Sequence, residues 1–218
     1  CGACGRACAA GEACVAGVCR GPFRGVVEDF EAGAWTSPPW MDTGVQLRPG
    51  TSRYTASTHA ECAHDGLRGG EDSETYRVRH DVIVGFPGQR VSAWVRYRNA
   101  EAGRSVGSTF YLGVGSAPGS GGWLLAVPST RTGMYLSRAP TWSGREALEF
   151  REGVPRDLGW FRVELSFAAG PTLTARIFDA SGLTEVAALS VSVPTFSPGP
   201  LVVSSDWACV DTVVVTGP

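Results

Sequence analysis

Residues 162–167 read Arg-Val-Glu-Leu-Ser-Phe, with a charged or polar side chain at every second position and an apolar one between. Successive side chains of a β-strand point to opposite faces of its sheet, so this alternation predicts a strand with one buried and one solvent-facing side. Short apolar runs recur from Phe23 onward, and none of them keeps a helical period. The stretch and its repeats therefore predict an all-β domain.

Eleven runs fit a strand, and clusters of Gly, Pro, Ser and Asp separate them. Glycine and proline together supply 43 residues (29 + 14), which suits many tight turns. This spacing predicts a two-sheet antiparallel β-sandwich, or jelly roll, over 23–218. The predicted strands are Gly25–Phe30, Tyr76–Val84, Arg90–Arg98, Ser108–Gly115, Trp123–Val127, Gly133–Ser137, Trp160–Phe167, Thr172–Asp179, Val186–Val193, Leu201–Ser204 and Thr212–Thr216.

The first nineteen residues hold five of the seven cysteines, at Cys1, Cys4, Cys8, Cys14 and Cys19. The residues between them are mostly Gly and Ala, which cannot build a core, so cross-links or a metal must hold this stretch together. A zinc knot of Cys1, Cys4, Cys14 and Cys19 is one alternative, but it leaves Cys8 over. We favour disulfides, and predict residues 1–22 as a disulfide-rich module or stalk.

The odd number of cysteines leaves the fate of Cys1 and the pairing of the other four open. Cys1 could pair with an upstream domain or another covalent partner, carry a lipid, or be free.

Disulfides predict an extracellular or cell-surface protein. The net charge of −2 and the pI near 6.0 give no case for binding nucleic acid. No apolar run approaches the roughly 20 residues of a membrane span.

The stretch from Val27 to Trp35, VEDFEAGAW, resembles the opening strand of jelly-roll carbohydrate-binding modules. Residues 209–215, CVDTVVV, resemble their closing strand, and residues 63–68, AHDGLR, resemble the phrase before their third strand. Residues 160–165 and 175–182 are similar to the back strands of laminin-G-like and concanavalin-like sandwiches. The cysteine-rich start resembles short repeats that precede binding domains in large secreted bacterial proteins. These resemblances imply a secreted carbohydrate-binding β-sandwich.

The same resemblance implies a structural calcium ion between the opening and closing strands. In those modules a carboxylate of the opening phrase and the aspartate that begins the last strand provide hard oxygen ligands. Carried over, the calcium ligands are Glu31 and Asp211, with Asp29 or Glu28 as a third.

Cys62 and Cys209 are the remaining two cysteines. The first and last strands of a jelly roll commonly lie side by side, which could bring the two together. We therefore predict a Cys62–Cys209 disulfide.

Alternation also assigns a ligand face. If Val91, Ala93 and Val95 point inward, their neighbours on the strand point out, and the same holds for the other strands. Aromatic rings stack on sugar rings, and the planar cation of arginine suits carboxylates or sulfates. We predict that one sheet face binds an acidic or mixed polysaccharide through Trp94, Arg96, Tyr111, Tyr135, Arg162 and Arg176.

Two other functions stay open. A sandwich-fold polysaccharide lyase or glycoside hydrolase would need a set of catalytic side chains, and no E-x-D-x-x-E strand or nucleophile elbow occurs. An adhesion or structural subunit could use Cys1 as a covalent link. We assign no catalytic residue and regard binding as the better reading.

Overall fold

The computed structural model of the chain is built almost entirely from β-strands. It describes residues 7–15, 17–29, 40–46, 52–57, 60–65, 75–97, 109–115, 122–128, 133–138, 147–152, 159–170, 172–194, 197–206 and 208–217. Its strands are β1 (Ala13–Val15), β2 (Val18–Arg20), β3 (Gly25–Glu28), β4 (Trp40–Gln46), β5 (Ser52–Ser57), β6 (Ala60–Asp65), β7 (Thr75–Val84), β8 (Arg90–Tyr97), β9 (Thr109–Val114), β10 (Trp123–Pro128), β11 (Gly133–Arg138), β12 (Ala147–Glu152), β13 (Trp160–Phe167), β14 (Thr172–Phe178), β15 (Glu185–Ser192), β16 (Gly199–Asp206) and β17 (Ala208–Thr216).

The strands form two antiparallel sheets and a separate β1–β2 hairpin. The seven-stranded sheet has the order β12-β11-β10-β9-β16-β7-β4. The eight-stranded sheet has the order β15-β14-β13-β8-β17-β6-β5, and β3 also pairs with β17. The predicted two-sheet β-sandwich is therefore confirmed. Within the described ranges, no helix has the length and apolar character needed to cross a membrane.

The core lies between the two sheets and is filled by the alternating apolar residues of both. The exposure of β8 alternates along the strand, with Val91, Ala93 and Val95 buried, as the sequence predicted. In the other sheet Phe110 and Trp123 are among the largest fully buried side chains. Burial of this apolar surface is the main driving force for the sandwich.

Sequence reasoning missed the six strands β1, β2, β4, β5, β6 and β12. Strand β6 reads Ala-Glu-Cys-Ala-His-Asp, and its polar residues favoured a loop. It is a strand because β17 and β5 provide hydrogen-bonding partners on both sides. Pairing between distant parts of the chain therefore overrides a local pattern that is weakly β.

The opening and closing strands of the sandwich are neighbours. β17 pairs with β3, and Val213 lies opposite Glu28. Nearer its start, β17 pairs with β6, where Cys209 lies directly opposite Cys62. Cys209 is disulfide-bonded. This register supports the predicted Cys62–Cys209 disulfide, which stays a prediction because the side chain of Cys62 lies outside the described part of the chain.

The N-terminal hairpin is cross-linked. Cys8 and Cys19 form a disulfide with an S–S distance of 2.10 Å, and Cys14 is also disulfide-bonded. Because Cys14 and Cys19 are in disulfides, they have no free thiol for the zinc knot that was the alternative to disulfides. The other two cysteines of that alternative, Cys1 and Cys4, lie outside the described residues.

Candidate functional site

The six residues predicted to share one ligand face lie on two different sheets. Strands β8, β13 and β14 place four of them on the eight-stranded sheet, whereas β9 and β11 place the two tyrosines on the seven-stranded sheet. All six point away from the core between the sheets, so the predicted alternation holds. The two outer surfaces are on opposite sides of a sandwich, however, and the single shared face is therefore wrong.

Tyr111 and Tyr135 belong to an apolar cluster on the outer side of the seven-stranded sheet. Both lie opposite Ala126 in the strand register, one on each side of it. Tyr111 is only 4% exposed and Tyr135 only 7%, and Leu124 in the same cluster is fully buried. Such rings cannot serve as an open stacking surface, so we remove the two tyrosines from the candidate site.

The remaining four residues lie side by side on the outer face of the eight-stranded sheet. Trp94 is opposite Arg162 in the strand register, and Arg96 is opposite Trp160. Arg162 in turn lies opposite Phe178, and its Cζ sits 4.0 Å from the centre of that ring. We call the surface formed by six partly exposed side chains the arginine–tryptophan face. Its members are Trp94, Arg96, Trp160, Arg162, Arg176 and Phe178.

A buried carboxylate orients two of these arginines. Glu164 is 6% exposed and lies between them on the same face. Its carboxylate accepts hydrogen bonds from Arg176 at 3.2 Å, from Arg162 at 3.4 Å and from Ser166 at 3.1 Å. Arg176 also pairs with the exposed Glu185 at 3.2 Å. A buried charge needs such partners, and the network holds both guanidinium groups in place.

The turn between β14 and β15 folds back onto this face. Asp179 organises it, because one carboxylate oxygen accepts hydrogen bonds from the Ser181 N–H, the Ser181 hydroxyl and the Thr184 N–H. The hydrogen bond from the Ser181 hydroxyl and those from Thr184 lower the pKa of Asp179 below its usual value. The turn is therefore a compact unit held by its own polar contacts.

Gly182 of this turn lies directly on the indole of Trp94. Gly182 is buried and has a φ of +70°, which glycine adopts readily. A Cβ at this position would lie 2.8 Å from Cη2 and 2.9 Å from Cζ2 of Trp94. Only glycine fits there, and part of the Trp94 ring is covered.

The candidate calcium ligands are partly within the described residues. Asp211 is half-buried on β17 and accepts a hydrogen bond from the Thr212 hydroxyl at 3.0 Å. Thr212 has a φ of +43° at an irregularity of this strand. Asp29 is exposed at the end of β3, and the antiparallel pairing of Glu28 with Val213 brings it level with this irregularity. Glu31 lies outside the described residues.

A second group of potential metal ligands lies in the N-terminal hairpin. Among the described residues, Cys8, Glu12 and Cys19 have ligand atoms within 4.8 Å of one another. Because Cys8 and Cys19 are joined in a disulfide, they offer no thiolate to a metal. This group is a by-product of the hairpin cross-link.

Sequence reasoning missed Trp160, Glu164, Phe178 and Gly182 as parts of the face. The alternation that placed Arg162 outward also places Glu164 outward, so that signal was available. The sequence Asp-Ala-Ser-Gly at 179–182 is itself typical of a turn. Its contact with Trp94 depends on the order of β8, β13 and β14 in the sheet, and no local pattern encodes that order.

No protein-family model and no curated protein matches the chain. Its fold, however, is similar to that of several solved structures. The lumenal domain of VIP36, solved with Ca²⁺ and Man3GlcNAc, matches with a TM-score of 0.58 at 8% identity, over 88% of this chain and 89% of that one. The carbohydrate recognition domain of Emp46p matches with a TM-score of 0.54 at 8% identity, over 87% and 94%. A protein of unknown function from Shewanella oneidensis matches with a TM-score of 0.51 at 8% identity, over 89% and 86%.

At such low identity these likenesses concern the fold alone. They confirm the predicted likeness to concanavalin-like sandwiches at that level. A fold hosts many functions, so function has to be argued from the site.

Proposed function

We propose that the chain is a carbohydrate-binding domain that holds its ligand on the arginine–tryptophan face. The observation that carries the proposal is the adjacency of partly exposed aromatic and guanidinium groups in register on one sheet, Trp94 beside Arg162 and Arg96 beside Trp160. Indole rings stack on the C–H faces of sugars, and arginine forms bidentate hydrogen bonds with carboxylates and sulfates. The ligand is an acidic or mixed polysaccharide.

The similar structures support the binding part of this proposal. VIP36 was solved with mannose and with larger mannose-containing saccharides, and Emp46p contributes a carbohydrate recognition domain. The position of the site on the eight-stranded sheet rests on the residues of this chain alone.

A glycan array followed by titration of the retained glycan tests the proposal. The Arg96→Ala variant should lose at least about tenfold in affinity, because it removes a planar cation beside Trp160. Arg151→Ala is the matched control, since Arg151 is exposed on β12 of the other sheet. Both variants should melt close to the unmodified protein. Absence of any retained glycan, or equal losses in the two variants, contradicts the proposal.

A structural calcium ion between β3 and β17 is the second part of the proposal. Asp211 and Asp29 offer hard oxygen atoms near the irregularity at Thr212, and Glu31 would complete the carboxylates. An ion there would link β3 to β17. It would be a structural ion and would perform no chemistry.

Calorimetry checks the calcium site. After exhaustive chelation, added calcium should raise the melting temperature of the protein, because the ion binds only the folded state. Asp211→Asn should abolish this shift, while Glu152→Gln, at an exposed acid of β12, should keep it. A melting temperature that does not respond to calcium removes the site.

The cysteine-rich module and the compartment complete the proposal. Residues 1–22 form a disulfide-bonded module ahead of a sandwich domain at 23–218, and the protein works outside the cell or at its surface. The Cys8–Cys19 disulfide supports an oxidising compartment. Cys1 would link to an upstream domain or partner. Mass spectrometry of the protein secreted by its own host, with and without reductant, tests this link.

A further inference from the structure

The Nε of Arg162 is buried and has no hydrogen-bond partner. It lies on the arginine–tryptophan face, 3.7 Å from the point where a Cβ of Gly182 would sit. Other atoms of the same guanidinium are used, since Nη1 bonds to Glu164 and Cζ lies over Phe178. A buried N–H without an acceptor is unfavourable, because it has given up its hydrogen bonds to water. The closed turn therefore covers a donor that it does not satisfy.

The turn that covers this donor is weakly attached to the sheet. Its described hydrogen bonds are internal: Ser181 and Thr184 donate to the Asp179 carboxylate, and the Gly182 N–H donates to the Asp179 carbonyl. Leu183 at its tip is 85% exposed and adds no packing. The contact of Gly182 with Trp94 is the attachment that the described residues show. Such a unit can lift without breaking its own structure.

Lifting the turn would uncover a complementary pair of groups. The Trp94 ring offers a flat apolar surface, and the Arg162 Nε–H beside it offers a charged donor. A sugar ring that carries a carboxylate or sulfate matches both at once, through stacking and a charge-assisted hydrogen bond. The indole selects a sugar ring and the guanidinium donor selects an anionic group, so the pair together selects an anionic sugar.

We propose that the 179–184 turn is a movable cap over a subsite for an anionic saccharide group, in which Trp94 stacks on the ring and the Arg162 Nε bonds to the anion. This inference rests on the proposed carbohydrate binding and makes it more specific. The cap competes with the ligand for the same indole surface, so a shift toward the open form strengthens apparent binding.

Nuclear magnetic resonance on the unmodified protein gives the first test. In the closed form the ring current of Trp94 shifts the resonances of Gly182. Addition of oligogalacturonate, for the carboxylate, or of a heparin-derived oligosaccharide, for the sulfate, should remove this shift as the sugar replaces Gly182. A mannose oligosaccharide, which carries no charge, is the control for the two anionic probes. Binding of either anionic probe with the Gly182 resonances unchanged overturns the inference.

Gly182→Ala gives the second test, because its Cβ cannot fit against Trp94 in the closed turn. If the open form of the unmodified protein is about a tenth of the population, the variant should bind the anionic probe about tenfold more tightly. Gly11→Ala is the matched control, at an exposed glycine with a φ of +85° and no neighbour within 4 Å; it carries a similar backbone cost without the contact with an indole and should change nothing. Arg162→Lys in the Gly182→Ala background should remove the gain, since lysine keeps the charge and lacks Nε.

The outcomes separate this inference from the proposed function. Binding of neutral glycans alone preserves the carbohydrate-binding function and refutes the anionic subsite. An unchanged or weaker affinity of a folded Gly182→Ala variant refutes the cap. If no saccharide binds either protein, both proposals fail.

Discussion

At the residue scale, individual side chains connect the two sheets through hydrogen bonds. The hydroxyl of Tyr97, on the inner face of β8, donates to the Val127 carbonyl of β10 at 2.5 Å. Its ring packs against Phe161 with 5.2 Å between the centres. Nearer the edge, Arg79 of β7 donates to the Val27 carbonyl of β3 at 3.1 Å. Apolar contacts are tolerant of small shifts, so these directional bonds help to fix how one sheet lies on the other.

The hydroxyl of Tyr97 should be worth a measurable part of the stability. Tyr97→Phe keeps the ring and removes the bond to the Val127 carbonyl, which should lower the free energy of unfolding by about 1–2 kcal/mol. Tyr97→Leu also removes the packing on Phe161 and should cost more. Urea unfolding measures both. A Tyr97→Phe variant as stable as the unmodified protein would show that the hydroxyl contributes nothing.

Alkaline pH should act through the same residue. Complete burial raises the pKa of Tyr97 well above its usual value of 10.0. The unfolded chain therefore loses the Tyr97 proton at a lower pH than the folded protein does. The contribution of the Tyr97 hydroxyl to the free energy of unfolding is intact below about pH 10 and is lost as the pH rises further. Unfolding free energies at several pH values above 10 should fall more steeply for the unmodified protein than for Tyr97→Phe. Parallel slopes would contradict this assignment.

At the scale of elements, local pattern predicted the strands whose two sides differ. The strand β13 begins and ends where its alternation does, at Trp160 and Phe167. The exception is β12, Ala-Leu-Glu-Phe-Arg-Glu, which was missed although its apolar and charged residues alternate and it pairs with β11 along most of its length. An edge strand is specified by its partner as much as by its own residues, and the partner is not visible locally.

The joint between the cysteine module and the sandwich is fixed by one buried glutamine. The side chain of Gln89 is fully buried, accepts from the Phe86 N–H at 3.0 Å and donates to the Phe23 carbonyl at 3.0 Å. The Phe23 N–H donates to the Ile83 carbonyl at 3.2 Å. The chain therefore enters the sandwich at a defined point, at Phe23.

Replacing this glutamine should loosen the joint. Gln89→Leu keeps the volume but leaves the Phe86 N–H and the Phe23 carbonyl without their partner, which should cost about 2–4 kcal/mol. Trypsin should then cut faster after Arg20 and Arg24, which flank the joint. Gln89→Glu retains the acceptor for Phe86 and should protect that N–H from exchange better than leucine does. Equal cleavage rates in the variant and the unmodified protein would show that the glutamine does not hold the joint.

At the scale of the whole molecule, the connections between strands decide which residues can form a site. Trp94 and Tyr111 are both outward-facing, yet the chain passes from one sheet to the other between β8 and β9. Alternation gives the inner and outer side of each strand, and it predicts four of the six members of the proposed face, Trp94, Arg96, Arg162 and Arg176. Which strands become neighbours depends on pairing over long distances, so the composition of a face cannot be obtained from alternation alone.

The Cys62–Cys209 disulfide would act on the whole sandwich, because it joins β6 to β17 across 147 residues of chain (209 − 62). Closing so long a loop lowers the conformational entropy of the unfolded chain. This should stabilise the fold by about 4–5 kcal/mol, reduced by any strain in the folded state. Replacing both cysteines by serine should therefore lower the melting temperature of the body by about 10 °C or more. Replacing Cys8 and Cys19 by serine is the matched control. It opens a short loop in the hairpin and should leave the main transition nearly unchanged. Peptide mapping that finds either Cys62 or Cys209 alkylated without reductant would exclude the bond.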